Sequence, residues 1–388
     1  VTHLLFILRA LLTFLAVAGM GYYVAALLAG RRFRRSAAEP QTSFAPPVTI
    51  LKSLKGLDPG MLAAFRSHCI QSYEGPVQML FGVSAMDDPA VQAVRSLQAE
   101  FPQCDIELHL CPERLGTNGK ISTLVQLARH ARFDFLLIND SDITVSPTYL
   151  ERVMNCFAPV EGLPEVGLVS ALYRGRAHGS LASYFESIGI STDFQAGVLL
   201  SNWLEGGLHY GLGSTLAARR SALEKIGGLT ALVDQLADDY EMGARIDKAG
   251  YRLVLSPEIV ETSVPAYTWR AYLDHQLRWA RTVRDARPGG YIGLAFTYGD
   301  AWATLLMLAA AFAPWSVGIW VASFLLRLAV AFSIGAGILG DAQVRTCRWL
   351  LPLRDLAMLS IWIAGFCGNT ILWRGQRFRL RKGRLEAL

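Results

Sequence analysis

The sequence predicts an α/β domain built on a mostly parallel sheet, held between membrane helices at both ends of the chain. Three observations carry that expectation. Short β-rich runs alternate with helical patterns through the middle of the 388 residues. Both ends are apolar over long stretches, and the whole chain is 52% hydrophobic with a mean hydropathy of +0.30, too high for an ordinary soluble enzyme. Acidic motifs recur directly after strands or at helix starts, where ligands of such sheets bind.

The stretch from Leu4 to Leu28 is long enough to cross a hydrocarbon core of roughly 30 Å. It reads as a transmembrane helix over residues 1–30, and its only charge is Arg9. A cleaved signal peptide would be shorter and end at small residues. Here Arg31, Arg32, Arg34 and Arg35 follow at once, opening a basic linker over residues 31–46. Positive charge is retained on the cytoplasmic side, so the domain that follows is expected in the cytosol.

Within residues 47–264 the strands are expected at Val48 to Lys52, Val77 to Val83, Ile106 to Leu110 and Phe135 to Asn139. Helices fill the gaps at Asp58 to Ser72, Pro89 to Phe101, Lys120 to Arg132 and Pro147 to Phe157. Then come a strand at Val166 to Leu172, an amphipathic stretch from Ser180 to Leu204, a Gly-rich strand near Leu212 to Ala217, and a helix from Asp238 to Ala249. Residues 265–292 read as amphipathic interfacial helices. Residues 293–373 carry candidate membrane segments at Ala301 to Ala313, Trp315 to Leu339 and Leu356 to Trp373, and residues 374–388 form a basic tail expected in the cytoplasm. Three full crossings would strand that tail outside. The segment following Pro352, Arg354 and Asp355 is therefore expected to be re-entrant or interfacial, since charges in hydrocarbon are costly.

The six cysteines show no CxxC or Cys/His ligand spacing, which excludes a zinc site and a disulfide framework; they read as buried apolar fillers. The net charge of +5 lies mainly on arginines flanking apolar segments. That placement suits anionic lipid and not nucleic acid.

The chemistry-bearing residues lie in a fixed order. Asp87 and Asp88 close a strand before Pro89, where a carboxylate serves either a nucleobase imide or a helix cap. Lys120 follows Gly116-Thr117-Asn118-Gly119 at a helix start, a place suited to phosphate or simply a solvated first-turn lysine. Asp140 and Asp142 flank Ser141 after the apolar run Phe135 to Ile138; two hard oxygen ligands at that spacing suit Mg2+ or Mn2+ and a nucleotide diphosphate, and solvated turn aspartates would look the same. Asp238 and Asp239 open a helix whose dipole favours the carboxylate anion, which makes Asp239 the candidate general base, although a capping pair shares the pattern. Arg278 and Trp279 sit on an amphipathic helix with Arg281 and Arg284; they suit either a diphosphate clamp with an acceptor-lining indole or interfacial anchoring. His275 and Asp238 stand beside these as contacts for the acceptor or the diphosphate.

Taken together, Leu51 to Pro59, Asp87-Asp88-Pro89-Ala90, Asp140-Ser141-Asp142, Asp238-Asp239-Tyr240 and the closing Arg278-Trp279 resemble the ceramide glucosyltransferase family over about Val48 to Leu388. The resemblance implies a glycosyltransferase-A, Rossmann-like fold, with Asp88 on the nucleotide, Asp140 and Asp142 on nucleotide and metal, and Asp239 as base. The last family motif begins with Gln or Arg, whereas His275 stands there. That departure looks like the bacterial hopanoid-associated branch, which implies UDP-N-acetylglucosamine as donor, a hopanoid polyol as acceptor, an inverting reaction and residence in a bacterial inner membrane. Ceramide and UDP-glucose are the alternative pair. A processive polysaccharide synthase would need more membrane helices, and a non-catalytic scaffold would not be expected to keep Asp142, Asp239 and Arg278 together.

Overall fold

The computed structural model describes residues 2–37, 43–373, 376–381 and 383–387; parts of the expected linker (residues 38–42) and of the expected tail (374, 375, 382 and 388) lie outside them. Alternation of strand and helix holds through the middle of the chain: β1 (Val48–Ser53), α2 (Met61–Cys69), β2 (Val77–Val83), α3 (Ala90–Glu100), β3 (Asp105–Leu110), α4 (Gly119–Ala128) and β4 (Phe135–Ile138), all after the long α1 (Thr2–Ser36). Then follow β5 (Ile143–Thr144), α5 (Tyr149–Asn155), β6 (Val166–Ala177), α6 (Leu181–Gly189), α7 (Gln195–Leu204), β7 (Leu216–Arg219), α8 (Arg220–Lys225), α9 (Asp238–Lys248) and β8 (Arg252–Val264). A π-helical turn, Ile190–Phe194, joins α6 to α7.

These strands form one eight-stranded sheet in the order β3-β2-β1-β4-β7-β6-β8-β5. The first four are parallel, β7 runs antiparallel to both its neighbours, and β6 and β8 are again parallel. Successive residues of a strand face opposite sides, and here both sides are apolar: Ile50 and Leu137 pack with Phe65 and Val94 below, Leu51 and Leu136 with Leu124 and Ile246 above. This is the pattern of a sheet covered on both faces. Strand β8 is absent from the sequence-based expectation. Pro257 and the polar residues Glu258 and Glu261 interrupt its apolar pattern, and the register shift beside Ala171 shows where the ladder absorbs the irregularity.

The C-terminal part comprises α10 (Trp269–Ala286), α11 (Pro288–Gly293), α12 (Gly299–Ala309), α13 (Pro314–Val330), α14 (Gln343–Cys347), α15 (Leu351–Gly365), and a small antiparallel sheet of β9 (Thr370–Trp373), β10 (Gln376–Arg381) and β11 (Arg384–Ala387). Among the described residues two helices are long and apolar enough to cross a membrane, residues 3–36 of α1 and the continuous helix Pro314–Ile338; residues 288–297 with α12, bent by 56°, make a third candidate. Helices α1 and α12 cross so closely at Gly19 and Gly299 that a Cβ on Gly19 would collide with the backbone of Gly299, the small-residue packing expected of helices in lipid.

The stretch expected to run as one segment from Leu356 to Trp373 is broken. Helix α15 ends at Gly365 and the chain turns into β9. Fifteen residues of helix span about 22 Å, short of a roughly 30 Å core. The C-terminal strands also pack on the α/β domain: Leu236 N donates to Gly383 O (3.1 Å), and Leu236 forms an apolar cluster with Ile371, Phe378 and Leu380. The domain and the C-terminal strands therefore share one side of any bilayer, and crossings between them are even in number. Among the described residues the bent pair and Pro314–Ile338 are the candidates for those crossings, and α15 is short for one. Of the cysteines, all free, only Cys111 is buried and Cys367 is exposed.

Candidate active site

Strand β4 delivers Asn139 and Asp140 to the carboxyl edge of the sheet. Asn139 is buried and fixed from all sides: its Nδ2 donates to Ser214 O (2.7 Å) and Tyr149 Oη (3.0 Å), and its Oδ1 meets His68 Nε2 at 3.2 Å. Burial and the nearby Lys52 hold His68 down to about 3, so its ring is neutral. Asp140 follows this rigid base. Asp142 is then turned by the short β5, which pairs with β8, and its Oδ2 accepts from Thr262 Oγ1 (2.6 Å) and Ser263 N (3.1 Å).

Helices α4 and α9 close the opposite wall. Asn118 caps α4 by accepting from Ile121 N, and its Nδ2 donates to Gln235 O (2.9 Å) and Asp238 Oδ1 (3.2 Å). Lys120, one turn in, reaches Asp140 Oδ1 at 2.6 Å and Asp238 Oδ2 at 3.8 Å. One lysine thus ties the two acidic motifs together across the crevice. Burial opposes its charge, but Asp140 and Asp238 outweigh that and raise its pKa.

Asp239 lies next to this bridge. Its Oδ1 accepts from Tyr240 N (2.8 Å), and its Oδ2 sits where a Cβ on Gly213 would come within 2.9 Å. The helix dipole alone was expected to keep it ionised with ease. Instead burial, reinforced by Asp238, pushes its pKa up to about 6, with Lys120 opposing. Burial and Asp140 likewise push Asp142 up to about 6. A lysine outside the expected set completes the cluster. Lys52, at the end of β1, is 1% exposed and donates through Nζ to the Asp140 carbonyl (3.2 Å); burial lowers it to about 7 against the pull of Asp140 and Asp142. Its sequence signal was a lysine closing the otherwise apolar run Val48 to Leu51.

Asp88 stands apart from this cluster. Both its oxygens accept from Gly56 N (3.0 and 3.1 Å), and Oδ1 also accepts from Ala90 N (2.9 Å). The carboxylate clasps the loop after β1 and caps α3. Gly56 has φ +71°, a conformation suited to glycine.

Helix α10 brings the third group. Thr268 caps it by accepting from Ala271 N. Its inner face presents His275, Arg278 and Trp279, with the Trp279 ring 5.2 Å from His275 and 6.1 Å from Phe194, and Phe194 5.8 Å from Tyr173. Tyr173 is half-buried, within electrostatic reach of Asp239, Asp140, Glu186 and Asp142, and Tyr267 lies within reach of Glu186, Arg278, Asp142 and Asp58. The aromatic wall and the carboxylates therefore border one crevice. Sequence reasoning missed Tyr173, Phe194 and Glu186, which lie on the long β6 and on the α6–π–α7 helix whose inward face only the tertiary packing defines.

A family model described as "Glycosyl transferase family 21" matches residues 11–386. The chain belongs to glycosyl transferase family 21. Ceramide glucosyltransferase 3 of Caenorhabditis elegans is 23% identical over 357 residues, covering 88% of this chain and 74% of that protein. Ceramide glucosyltransferase 1 of the same animal is 22% identical, covering 61% of this chain and 49% of that protein. In structure the chain resembles the mannosyltransferase PcManGT from Pyrobaculum calidifontis, solved with GDP-Man and Mn2+, at a TM-score of 0.53 and 21% identity, covering 92% of this chain and 97% of that one. The fold is glycosyltransferase-A, and this family 21 member is an integral membrane glycosyltransferase.

Proposed function

We propose that this family 21 enzyme transfers a sugar from a UDP-sugar, UDP-N-acetylglucosamine foremost, to a hydroxyl of a membrane lipid, a hopanoid polyol foremost, with inversion at the anomeric carbon. The observation that carries the reading is Asp239: a half-buried carboxylate held up to about 6, beside the Lys120 bridge and near an aromatic wall on an amphipathic helix. A base with that affinity is charged at neutral pH yet able to accept a proton.

Asp239 would take the proton of the acceptor hydroxyl as its oxygen forms the new bond to the anomeric carbon. The electrons of the breaking bond leave with the nucleoside diphosphate. Lys120 and Arg278 supply cationic donors for that anion, and Trp279 with Phe194 and Tyr173 offers an apolar face to the acceptor. Positioned base catalysis contributes about 10² to 10⁴ in rate.

The donor set suits a divalent cation. Asp140 and Asp142 are hard carboxylates, Asp140 raises the proton affinity of Asp142, and the described residues hold no group of three His, Cys, Asp or Glu side chains placed around one ion. That fits Mg2+ or Mn2+ held by one or two carboxylates together with substrate phosphates and water. When bound, the ion would neutralise diphosphate charge.

The catalytic domain is assigned to the cytosolic face of a bacterial inner membrane, on the strength of the basic cluster after α1. Ceramide with UDP-glucose is the second reading, favoured by the named activity of the C. elegans relatives. Purified protein in detergent or nanodiscs, given a panel of radiolabelled UDP-sugars with hopanoid and ceramide acceptors, decides between them. Label in a hopanoid from UDP-N-acetylglucosamine is expected; label in ceramide alone transfers the assignment to the second pair, and no labelled lipid overturns both.

A further inference from the structure

Outside the Lys120 bridge lies a second buried polar cluster with a charged member. Glu186, on α6, has a carboxylate side chain only 6% exposed, and its Oε2 faces His275 Nδ1 at 2.9 Å. The same oxygen accepts from Gln276 Nε2 at 3.2 Å. A carboxylate partnered in this way only accepts, so the His275 proton sits on Nδ1. The other ring nitrogen, Nε2, is thereby left as a lone-pair acceptor, and no hydrogen bond engages it among the described side chains. The ring is also flanked by tilted aromatics, with Tyr267 at 5.6 Å and Trp279 at 5.2 Å.

The cluster borders the crevice: Tyr173 lies within electrostatic reach of Asp239 and Glu186 alike. It also borders the apolar surface of α10, where Trp269 and Leu273 are exposed. His275 lies on the same helix as that exposed apolar surface. The site offers a ring nitrogen, Nε2, in an aromatic frame, chemistry that can recognise a hydroxyl.

We infer that Glu186 is a positioning residue that fixes His275 in the Nδ1-protonated form, so that Nε2 accepts a hydrogen bond from a second hydroxyl of the acceptor lipid, distinct from the hydroxyl that Asp239 deprotonates. The inference rests on the lipid-glycosylation reading above and narrows its substrate class to lipids with at least two hydroxyls near the membrane surface. His275 contacts substrate; Glu186 acts through it.

The test compares paired acceptors in the full-length protein: a hopanoid polyol against the hopanoid carrying a single terminal hydroxyl, and ceramide against 3-deoxyceramide. Steady-state KM for acceptor and donor is measured for wild type, Glu186→Met, Glu186→Gln and His275→Phe. Wild type should favour the polyhydroxy member of its pair about tenfold in acceptor KM, the equivalent of ~1.4 kcal/mol and one hydrogen bond. Glu186→Met, which frees Nδ1, and His275→Phe, which keeps the ring packing but lacks Nε2, should each abolish that preference while leaving donor KM unchanged. Glu186→Gln retains an oxygen acceptor for Nδ1 and should restore most of it.

Equal KM increases for both members of a pair, a raised donor KM, or a wild type indifferent to the second hydroxyl would overturn the inference. His275→Phe decides the matter if Glu186→Met does not fold, because His275 is at the crevice edge with a side chain 19% exposed. Failure of wild type to label any lipid would strike the transferase reading itself, an outcome separate from these.

Discussion

The crevice around Asp140 and the interhelical cluster around Arg327 both bury several charges, but they treat them differently. In the crevice Asp140, Asp142, Asp238 and Asp239 crowd about Lys120 and Lys52, and burial with mutual repulsion leaves Asp142 and Asp239 with proton affinities well above the ordinary carboxylate range. Buried Asp238 Oδ2 has no hydrogen-bond partner. In the second cluster Arg327, Arg354, Asp355 and Asp193 are paired with one another. Arg327 donates to both oxygens of Asp355 (2.7 and 3.1 Å) and to Thr192 O and Oγ1 (both 3.1 Å). Arg354 reaches Asp355 Oδ1 and Asp193 Oδ2, each at 3.2 Å, and the Phe185 carbonyl. A satisfied cluster holds helices together, whereas an under-neutralised one is prepared for a cationic or proton-bearing ligand.

Removing the base should give the largest effect. Asp239→Asn is expected to lower turnover by about 10² to 10⁴ with UDP affinity nearly unchanged, since the acceptor and not the donor uses this carboxylate. Separate assays of turnover and UDP binding check it, and wild-type turnover would exclude Asp239 as the base.

The same carboxylate-to-amide change separates the two clusters. Asp355→Asn leaves Arg327 buried without its counter-charge and should destabilise the protein by about 3–5 kcal/mol. Asp142→Asn removes a repelled charge, so the unliganded protein should melt at an unchanged or slightly higher temperature while Mn2+-dependent UDP binding weakens at least several-fold. Thermal unfolding and calorimetry with Mn2+ and UDP provide both readings. Equal destabilisation by the two variants would erase the distinction.

The pH profile sharpens it further. Asp239 is active only when deprotonated, and burial with Asp238 holds it up to about 6. Activity should therefore fall about tenfold per pH unit below that value and level off above it. Asp238→Asn removes the repelling neighbour and should move the limb to lower pH. A limb that stays near 6 would assign it to another group.

Much of this was legible in the sequence, for identifiable reasons. Strands β1, β2 and β4 are largely buried on both faces and β3 alternates apolar with polar residues, so their patterns marked them within a residue or two. The acidic motifs stood out because each follows a strand or opens a helix. Strand β8 was hidden because Pro257 and Glu258 mask its periodicity. Glu186 was hidden because an isolated glutamate on an apolar helix carries no local signal, and its meaning comes from His275, 89 residues later. The role of Asp88 as a clasp on Gly56 depends on a loop contact that spacing cannot show. The break between α15 and β9 escaped detection because Ile371, Leu372 and Trp373 continue the apolar composition across the turn.

The two clusters meet at one residue, and the smallest expected effect tests that junction. Arg327 grips Thr192 and Arg354 grips Asp193, consecutive residues of the π-helical turn Ile190–Phe194; the next residue, Phe194, packs on Tyr173 and Trp279 in the crevice. π-helical turns are frequent at functional sites, and this one fixes an aromatic wall from membrane-side arginines. Phe194→Leu keeps apolar volume in place but loses two ring contacts, each worth about 0.5–1.5 kcal/mol. It should lower kcat/KM for the lipid acceptor about three- to tenfold, with donor KM unchanged and unfolding temperature nearly so, because Phe194 is partly exposed. If the wall is aligned by the arginines, Asp193→Asn should reduce acceptor kcat/KM in wild type and have much less effect in the Phe194→Leu background. Additive losses in the double variant would show that the paired cluster merely holds the helices and does not reach the crevice through Phe194.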